Sequence, residues 1–142
     1  MATLDHTHDG AARSWLASAN AAGTPFPIQN LPLAVFRRQG ASEALRGGAA
    51  IGDQVLDLAA LASRGLLQGE AQRACEAAAQ SALNDYFALG ASGWRALRHG
   101  LFALLQEGAA PSVQEQVRAC LLPQSQVEYG LPARIGDYTD FY

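Results

Sequence analysis

The run Ile135-Gly-Asp-Tyr-Thr-Asp-Phe-Tyr concentrates more reactive groups than any other stretch of the chain. Asp137 and Asp140 are hard oxygen donors of the type that Ca²⁺ and Mg²⁺ prefer, and Tyr138 and Tyr142 add hydroxyls able to hold a polar substrate. One or two carboxylates do not satisfy an ion that wants six or more oxygens. On these residues alone, a turn with an Asx hydrogen bond and buried aromatics is expected. A second group is Asp5-His-Thr-His-Asp, in which His6 and His8 share a face if the chain is extended, as a transition-metal clip would need. Its place near the N-terminus points instead to a solvated tail. His99 falls on the polar side of a helical pattern and reads as a surface residue. None of the three His residues has a nucleophile close in sequence, so no Ser-His-Asp or Cys-His arrangement can be assembled. Gly47-Gly48 lacks the further Gly and the Lys-Ser/Thr of a phosphate loop. Cys75 and Cys120 form no Cys-x-x-Cys pair, which argues against structural zinc and for small, free, buried thiols.

These residues need a scaffold, and the pattern suggests one. Leu33-Ala-Val-Phe-Arg-Arg has a strand-like core, and Ala49-Ala-Ile-Gly-Asp-Gln-Val-Leu-Asp-Leu reads as a hairpin turning at Gly52-Asp53. Asp57 is a good N-cap for a helix from Leu58 that stops near Gly65. Glu70 to Ala79 has high helix propensity. Asn84 is expected to cap a short turn through Phe87 to Gly90. Ser92 is expected to cap a helix whose apolar stripe is Trp94, Leu97, Leu101, Leu104 and Leu105, ending at Gly108. Pro111 suits the first position of a last helix, with Val113, Val117, Cys120 and Leu121 as its apolar face and Pro123 as its stop. Before the strands, Ser14 is a possible N-cap of a short helix, and Pro25, Pro27 and Pro32 keep their surroundings extended. After residue 124, Gly130, Pro132 and Gly136 predict loop and short strand.

Composition narrows the function classes. The chain has 142 residues, enough for one domain, and 49% are apolar, 29 of them Ala. An Ala-rich, helix-rich core follows. The net charge is −3, with ten Arg and no Lys, so the basic stripe of a nucleic-acid binder is missing. No apolar run reaches the length of a membrane span, and no cationic segment followed by an apolar one marks a secretory signal, so the cytoplasm is the expected location. Only 16% of residues are charged, a thin cover that suggests some surface is buried against another body.

Three segments in order are specific: Phe26-Pro-Ile-Gln-Asn-Leu-Pro, Ala50-Ile-Gly-Asp-Gln-Val-Leu-Asp-Leu, and Leu131-Pro-Ala-Arg-Ile-Gly-Asp-Tyr-Thr-Asp-Phe-Tyr. With a helical stretch between the second and third, containing Leu83-Asn84, Leu89-Gly90 and Trp94, the chain resembles the N-terminal part of the fumarylacetoacetase family. The resemblance runs from about Ser14 to Tyr142; Leu33-Ala34 departs from the aromatic residue and Gly usual there. It implies an α+β fold: a small SH3-like β-barrel with a helical insert and an irregular C-terminal tail. The implied organisation is an extension over 1–22, flexible or helical, a domain over 23–135 with its insert at about 59–122, and the start of a linker or catalytic domain at 136–142. The implied activity is metal-dependent hydrolysis of a carbon–carbon bond in fumarylacetoacetate, giving fumarate and acetoacetate at the close of tyrosine and phenylalanine catabolism. Ca²⁺ or Mg²⁺ is the implied cofactor, with Asp140 as a metal ligand and Tyr142 as a substrate contact. The implied partners are the chain's own catalytic domain, which carries the general-base His, a second copy in a homodimer, and a small diketo acid, with no nucleic acid and no membrane. No catalytic residue is expected within these 142 positions, so the segment alone should be inactive. The alternative is a free-standing SH3-like interaction module, for which Phe26 and Phe36 are a meagre aromatic supply.

Overall fold

The computed structural model describes residues 3–141. Its sheet begins with β1 (Leu33–Arg38), β2 (Arg46–Ile51) and β3 (Gln54–Asp57), followed by helices α1 (Leu58–Ser63), α2 (Gly69–Ala78), α3 (Asn84–Phe87), α4 (Gly90–Leu105) and α5 (Pro111–Arg118). The chain then returns to the sheet as β4 (Leu121–Pro123) and β5 (Val127–Tyr129), joined by a 3₁₀ turn at Gln124–Gln126. All pairings are antiparallel, in the order β4-β3-β2-β1-β5. The fold is therefore α+β, as expected. The two outer strands, β4 and β5, do not pair with each other, so the ladder is an open five-stranded sheet rather than a closed barrel.

The β2–β3 hairpin turns at Gly52-Asp53, with Ile51 paired to Gln54 and Gly52 at φ +55, a conformation open to Gly at low cost. Asp57 ends β3 and caps α1, accepting from the backbone N–H groups of Ala59 and Ala60. Its other oxygen accepts from Arg46 Nε at 3.0 Å, and Arg46 also reaches Glu43. Because Asp57 and Arg46 are largely buried, the pair ties the hairpin to the helical layer.

The two faces of the sheet bury different cores. Val35, Ala49, Ile51 and Leu56 face the helices and join Leu58, Leu61, Cys75, Leu97, Leu101 and Leu105 in the main core. Phe36, Val55 and Val127 form a small second core on the opposite face, with Leu122 packed on it. The Arg46 guanidinium lies 4.5 Å over the Phe36 ring. Two glycines in β2 make both arrangements possible. A Cβ on Gly48 would sit 2.7 Å from Phe36 and Val55, which meet over the bare strand. A Cβ on Gly47 would lie 1.6 Å from the Ala78 carbonyl oxygen, where the end of α2 rests on the strand. That pair of glycines serves packing, a role residue order did not disclose.

Several boundaries differ from expectation for local physical reasons. The last helix stops at Arg118 instead of running to Pro123. Cys120 gives its carbonyl to the Asp57 N–H, and Leu121 and Leu122 pair with Leu56 and Val55. Sheet pairing outweighs the helical pattern there, and Pro123 fits an edge strand that needs no donor. α4 starts at Gly90, two residues before Ser92, whose hydroxyl donates to Glu70 instead of capping, and it ends at Leu105, before Gly108. Ser14 starts no helix. Its hydroxyl donates to the Leu105 carbonyl at 2.6 Å, and Trp15 Nε1 donates to the Leu104 carbonyl at 2.8 Å, so residues 14–15 satisfy carbonyls left without helical partners at the buried C-terminal end of α4.

Candidate functional site

The C-terminal motif leaves the fold at a built clamp. The Asn84 side chain accepts from the Arg134 N–H at 2.8 Å and donates to the Arg134 carbonyl at 3.0 Å, while the Leu83 N–H donates to Pro132 at 2.7 Å. Residue order predicts Asn84 as the cap of a short turn through Phe87 to Gly90; the cap position of α3 belongs instead to Leu83, and the Asn84 amide holds the outgoing chain. Upstream, the Gly130 N–H donates to Val35, so the exit is fixed to β1 as well.

Beyond this clamp the chain is irregular and exposed. Leu131, Ile135, Tyr138 and Phe141 are each 75–91% exposed, against a core whose large side chains are nearly all covered. The aromatics of the motif are thus presented outward, contrary to the packed turn expected from these residues in isolation. Asp137 and Asp140 are also exposed, and neither belongs to a group of three metal-ligating side chains among the described residues. A lone carboxylate does not meet the six or more oxygens of a Ca²⁺ site or the octahedron of Mg²⁺. Among the described residues, the carboxylates of this segment do not complete a hard-cation centre. Tyr142 lies outside the described residues.

Asp5-His-Thr-His-Asp is not a solvated tail. Thr7 is fully buried, and Arg98 from α4 donates through Nε to the Thr7 hydroxyl at 2.9 Å and through Nη2 to the Thr7 carbonyl at 3.1 Å. Residues 6–8 form a 3₁₀ turn capped by Asp5. His99, next to Arg98, lies with Nε2 2.7 Å from Asp5 Oδ2. His6 and His8 do not act together as in an extended clip: the His6 ring sits 5.0 Å from the His99 ring, while His8 Nδ1 lies 3.1 Å from Asp5 Oδ1. The Asp5 carboxyl is held well below the usual carboxylate range, first by the hydrogen bond from the Thr7 hydroxyl and then by the one to His99.

The remaining sequence candidates are structural. Cys75 and Cys120 are free and buried. Burial pushes the Cys75 thiol up to about 12, which makes it a poor nucleophile. Phe36 is fully buried and Phe26 half-buried, so they do not form an aromatic groove of the type that receives proline-rich peptides. No helix among the described residues is long and apolar enough to cross a membrane.

Residues 29–132 match the family model described as fumarylacetoacetase N-terminal. The chain is 40% identical over 126 residues to a fumarylacetoacetase of Oryza sativa subsp. japonica, covering 86% of this chain and 29% of that relative. It is 42% identical over 121 residues to one from Caenorhabditis elegans, covering 82% of this chain and 28% of the relative. With the fumarylacetoacetase of Homo sapiens it shares 38% over 120 residues, again 82% of this chain and 28% of the relative. The chain thus spans less than a third of the length of the curated relatives it matches. Matched by the family model over most of its length and about 40% identical to these relatives, the chain belongs to the fumarylacetoacetase N-terminal family.

Proposed function

We propose that this chain is the N-terminal domain of a fumarylacetoacetase-type hydrolase, which cleaves the carbon–carbon bond of fumarylacetoacetate to fumarate and acetoacetate in tyrosine catabolism. The observation that carries the reading is the exposed, clamped exit: Leu131, Ile135, Tyr138 and Phe141 offer apolar surface with nothing in the described domain to cover it. A catalytic domain docked on that surface is the partner this face fits. Asp140 and Tyr142 lie on the same segment, which supports their assignment as one metal ligand and one substrate contact brought to the edge of a cleft. The metal is Ca²⁺ or Mg²⁺, by the hardness of a carboxylate donor. The site is completed by carboxylates and a general base from the catalytic domain, and the working enzyme is a cytoplasmic homodimer. The strand order, with a 3₁₀ turn between β4 and β5 and a second core gathered under Phe36, supports reading the sheet as an SH3-like barrel opened along one side. In this role the domain is a scaffold that sets the exit direction of the catalytic segment.

The test joins this domain to a fumarylacetoacetase catalytic domain and follows substrate loss. The 142-residue chain alone should show no turnover, and the joined protein should be active. Asp140→Ala in the joined protein should lower kcat/KM by roughly a hundredfold or more, the usual cost of losing a charge-stabilising group at a reacting centre. Turnover by the 142-residue chain alone, or full activity in the Asp140→Ala protein, would overturn the proposal.

A further inference from the structure

The three side chains Asp5, His6 and His99 converge from two distant parts of the chain, and none of them takes part in the proposed hydrolysis. A carboxylate oxygen of Asp5 and one ring nitrogen from each His lie within 4.8 Å of one another. Two imidazoles and one carboxylate form a borderline-soft donor set that suits Zn²⁺ and its first-row neighbours and does not suit Ca²⁺ or Mg²⁺. We propose that Asp5, His6 and His99 form a transition-metal site of the Zn²⁺ class that fastens the N-terminal 3₁₀ turn to α4.

The surroundings are arranged as such a site needs. Asp5 Oδ1 is already used by the Thr7 N–H at 2.9 Å and the Thr7 hydroxyl at 2.6 Å, while His8 Nδ1 accepts from the Asp5 backbone N–H at 3.1 Å. Oδ2 is left to face His99. One carboxylate oxygen is thus oriented by hydrogen bonds while the other points at the cluster, the usual division of labour around a ligating carboxylate. The His6 ring is set between His99 and the edge of Phe102, whose centroid is 5.6 Å away at 90°. The backbone carrying His6 is fixed because the adjacent Thr7 is buried and held by Arg98. The Arg98 guanidinium is committed to Thr7 and to the Gln29 carbonyl, not to the Asp5 carboxylate. The ion would take the place of the hydrogen between His99 Nε2 and Asp5 Oδ2, and that proton would leave to solvent or move to His99 Nδ1. Those ligand atoms, now 2.7 Å apart, would open to about 3.3 Å, the spacing of neighbours in a tetrahedron with bonds near 2.0 Å. With three protein ligands, the fourth position is left for water.

The site is tested on the full 142-residue chain by titration with Zn²⁺ and, as a spectroscopic probe, Co²⁺, with Mg²⁺ for comparison. The expected result is one equivalent of Zn²⁺ bound, a Co²⁺ visible spectrum of low coordination number, and a melting temperature raised by several degrees by Zn²⁺ but not by Mg²⁺. His6→Ala and His99→Ala should each weaken Zn²⁺ binding by about tenfold or more and abolish the Co²⁺ spectrum. The exposed His6 makes its variant safe for folding. Absence of saturable Zn²⁺ binding up to submillimolar metal would overturn the proposal. So would binding and a Co²⁺ spectrum that survive His6→Ala, since the ion would then lie elsewhere.

Discussion

Gly47→Ala offers the sharpest check on how the helical layer sits on the sheet. The added Cβ would stand 1.6 Å from the Ala78 carbonyl oxygen, 2.7 Å from its carbon and 3.3 Å from Ala79 Cα. All three are backbone atoms, so no side-chain rotation relieves the overlap. Restoring even the 3.4 Å at which ordinary contact begins requires β2 and the end of α2 to part by about 1.8 Å. That movement stretches the 3.3 Å hydrogen bond from the Gly47 N–H to the Ala79 carbonyl and loosens the fully buried Ala74, Cys75 and Ala78. Overpacking costs about 1–3 kcal/mol and the hydrogen bond about 1 kcal/mol. Replacing Gly by Ala within a strand returns about 0.5–1 kcal/mol of backbone entropy. The net loss is therefore about 1–3.5 kcal/mol, with a midpoint of about 2.3 kcal/mol. With an unfolding entropy near 2.1 cal/mol/K per residue, that lowers the Tm of a chain of this size by about 8 °C. Thermal melts followed by circular dichroism, repeated with urea, provide the assay. Gly10→Ala is the control, because a Cβ there meets nothing within 4 Å. A Gly47→Ala protein melting within about 2 °C of the parent, the range of ordinary surface changes, would refute the close approach of α2 to β2.

Three further outcomes follow from named contacts. Asp57→Ala removes the cap of α1 and leaves the largely buried Arg46 with Glu43 alone; urea unfolding should show a loss of about 2–4 kcal/mol, and Asp57→Asn, which keeps a capping oxygen, should lose clearly less. Equal losses in the two variants would mean that the ion pair with Arg46 carries all of the effect. Burial raises the Cys75 thiol from 9.0 to about 12, so below pH 9 the folded and unfolded states both keep the proton and its contribution is complete. Between pH 9 and 12 the unfolded chain loses the proton first, and stability should fall by a few kcal/mol as pH rises, with Cys75→Ala flattening the profile. Burial moves Cys120, Tyr86 and Tyr129 in the same direction, so the variant flattens the fall without abolishing it. Asn84→Ala should release the exit clamp: amide exchange at Arg134 should quicken by roughly tenfold while the global Tm barely changes, and unchanged exchange would show that the clamp does not hold the tail.

Features that depend on neighbours in the chain were legible from residue order. The stripe Leu97, Leu101, Leu104 and Leu105 is buried on α4 because helical period alone puts those positions on one side, although Trp94 at its end stays 42% exposed and Phe102 was missed. The Gly52-Asp53 turn and the Asp57 cap need only the adjacent backbone, and both are present. The motif at the exit was also visible, because its residue types are unusual together. What residue order did not disclose is every feature formed by groups far apart in the chain. Leu121 and Leu122 look like the end of an apolar helical face until β3 is there to pair with them. Asn84 looks like a cap until Arg134, 50 positions on, comes within reach of its amide. His99 reads as a surface residue and Asp5 as part of a frayed end, yet the packing of the N-terminal turn on α4 closes a separation of 94 positions to 2.7 Å. Local propensities act over a turn or a strand, whereas such encounters arise only when burial of the core brings whole elements together.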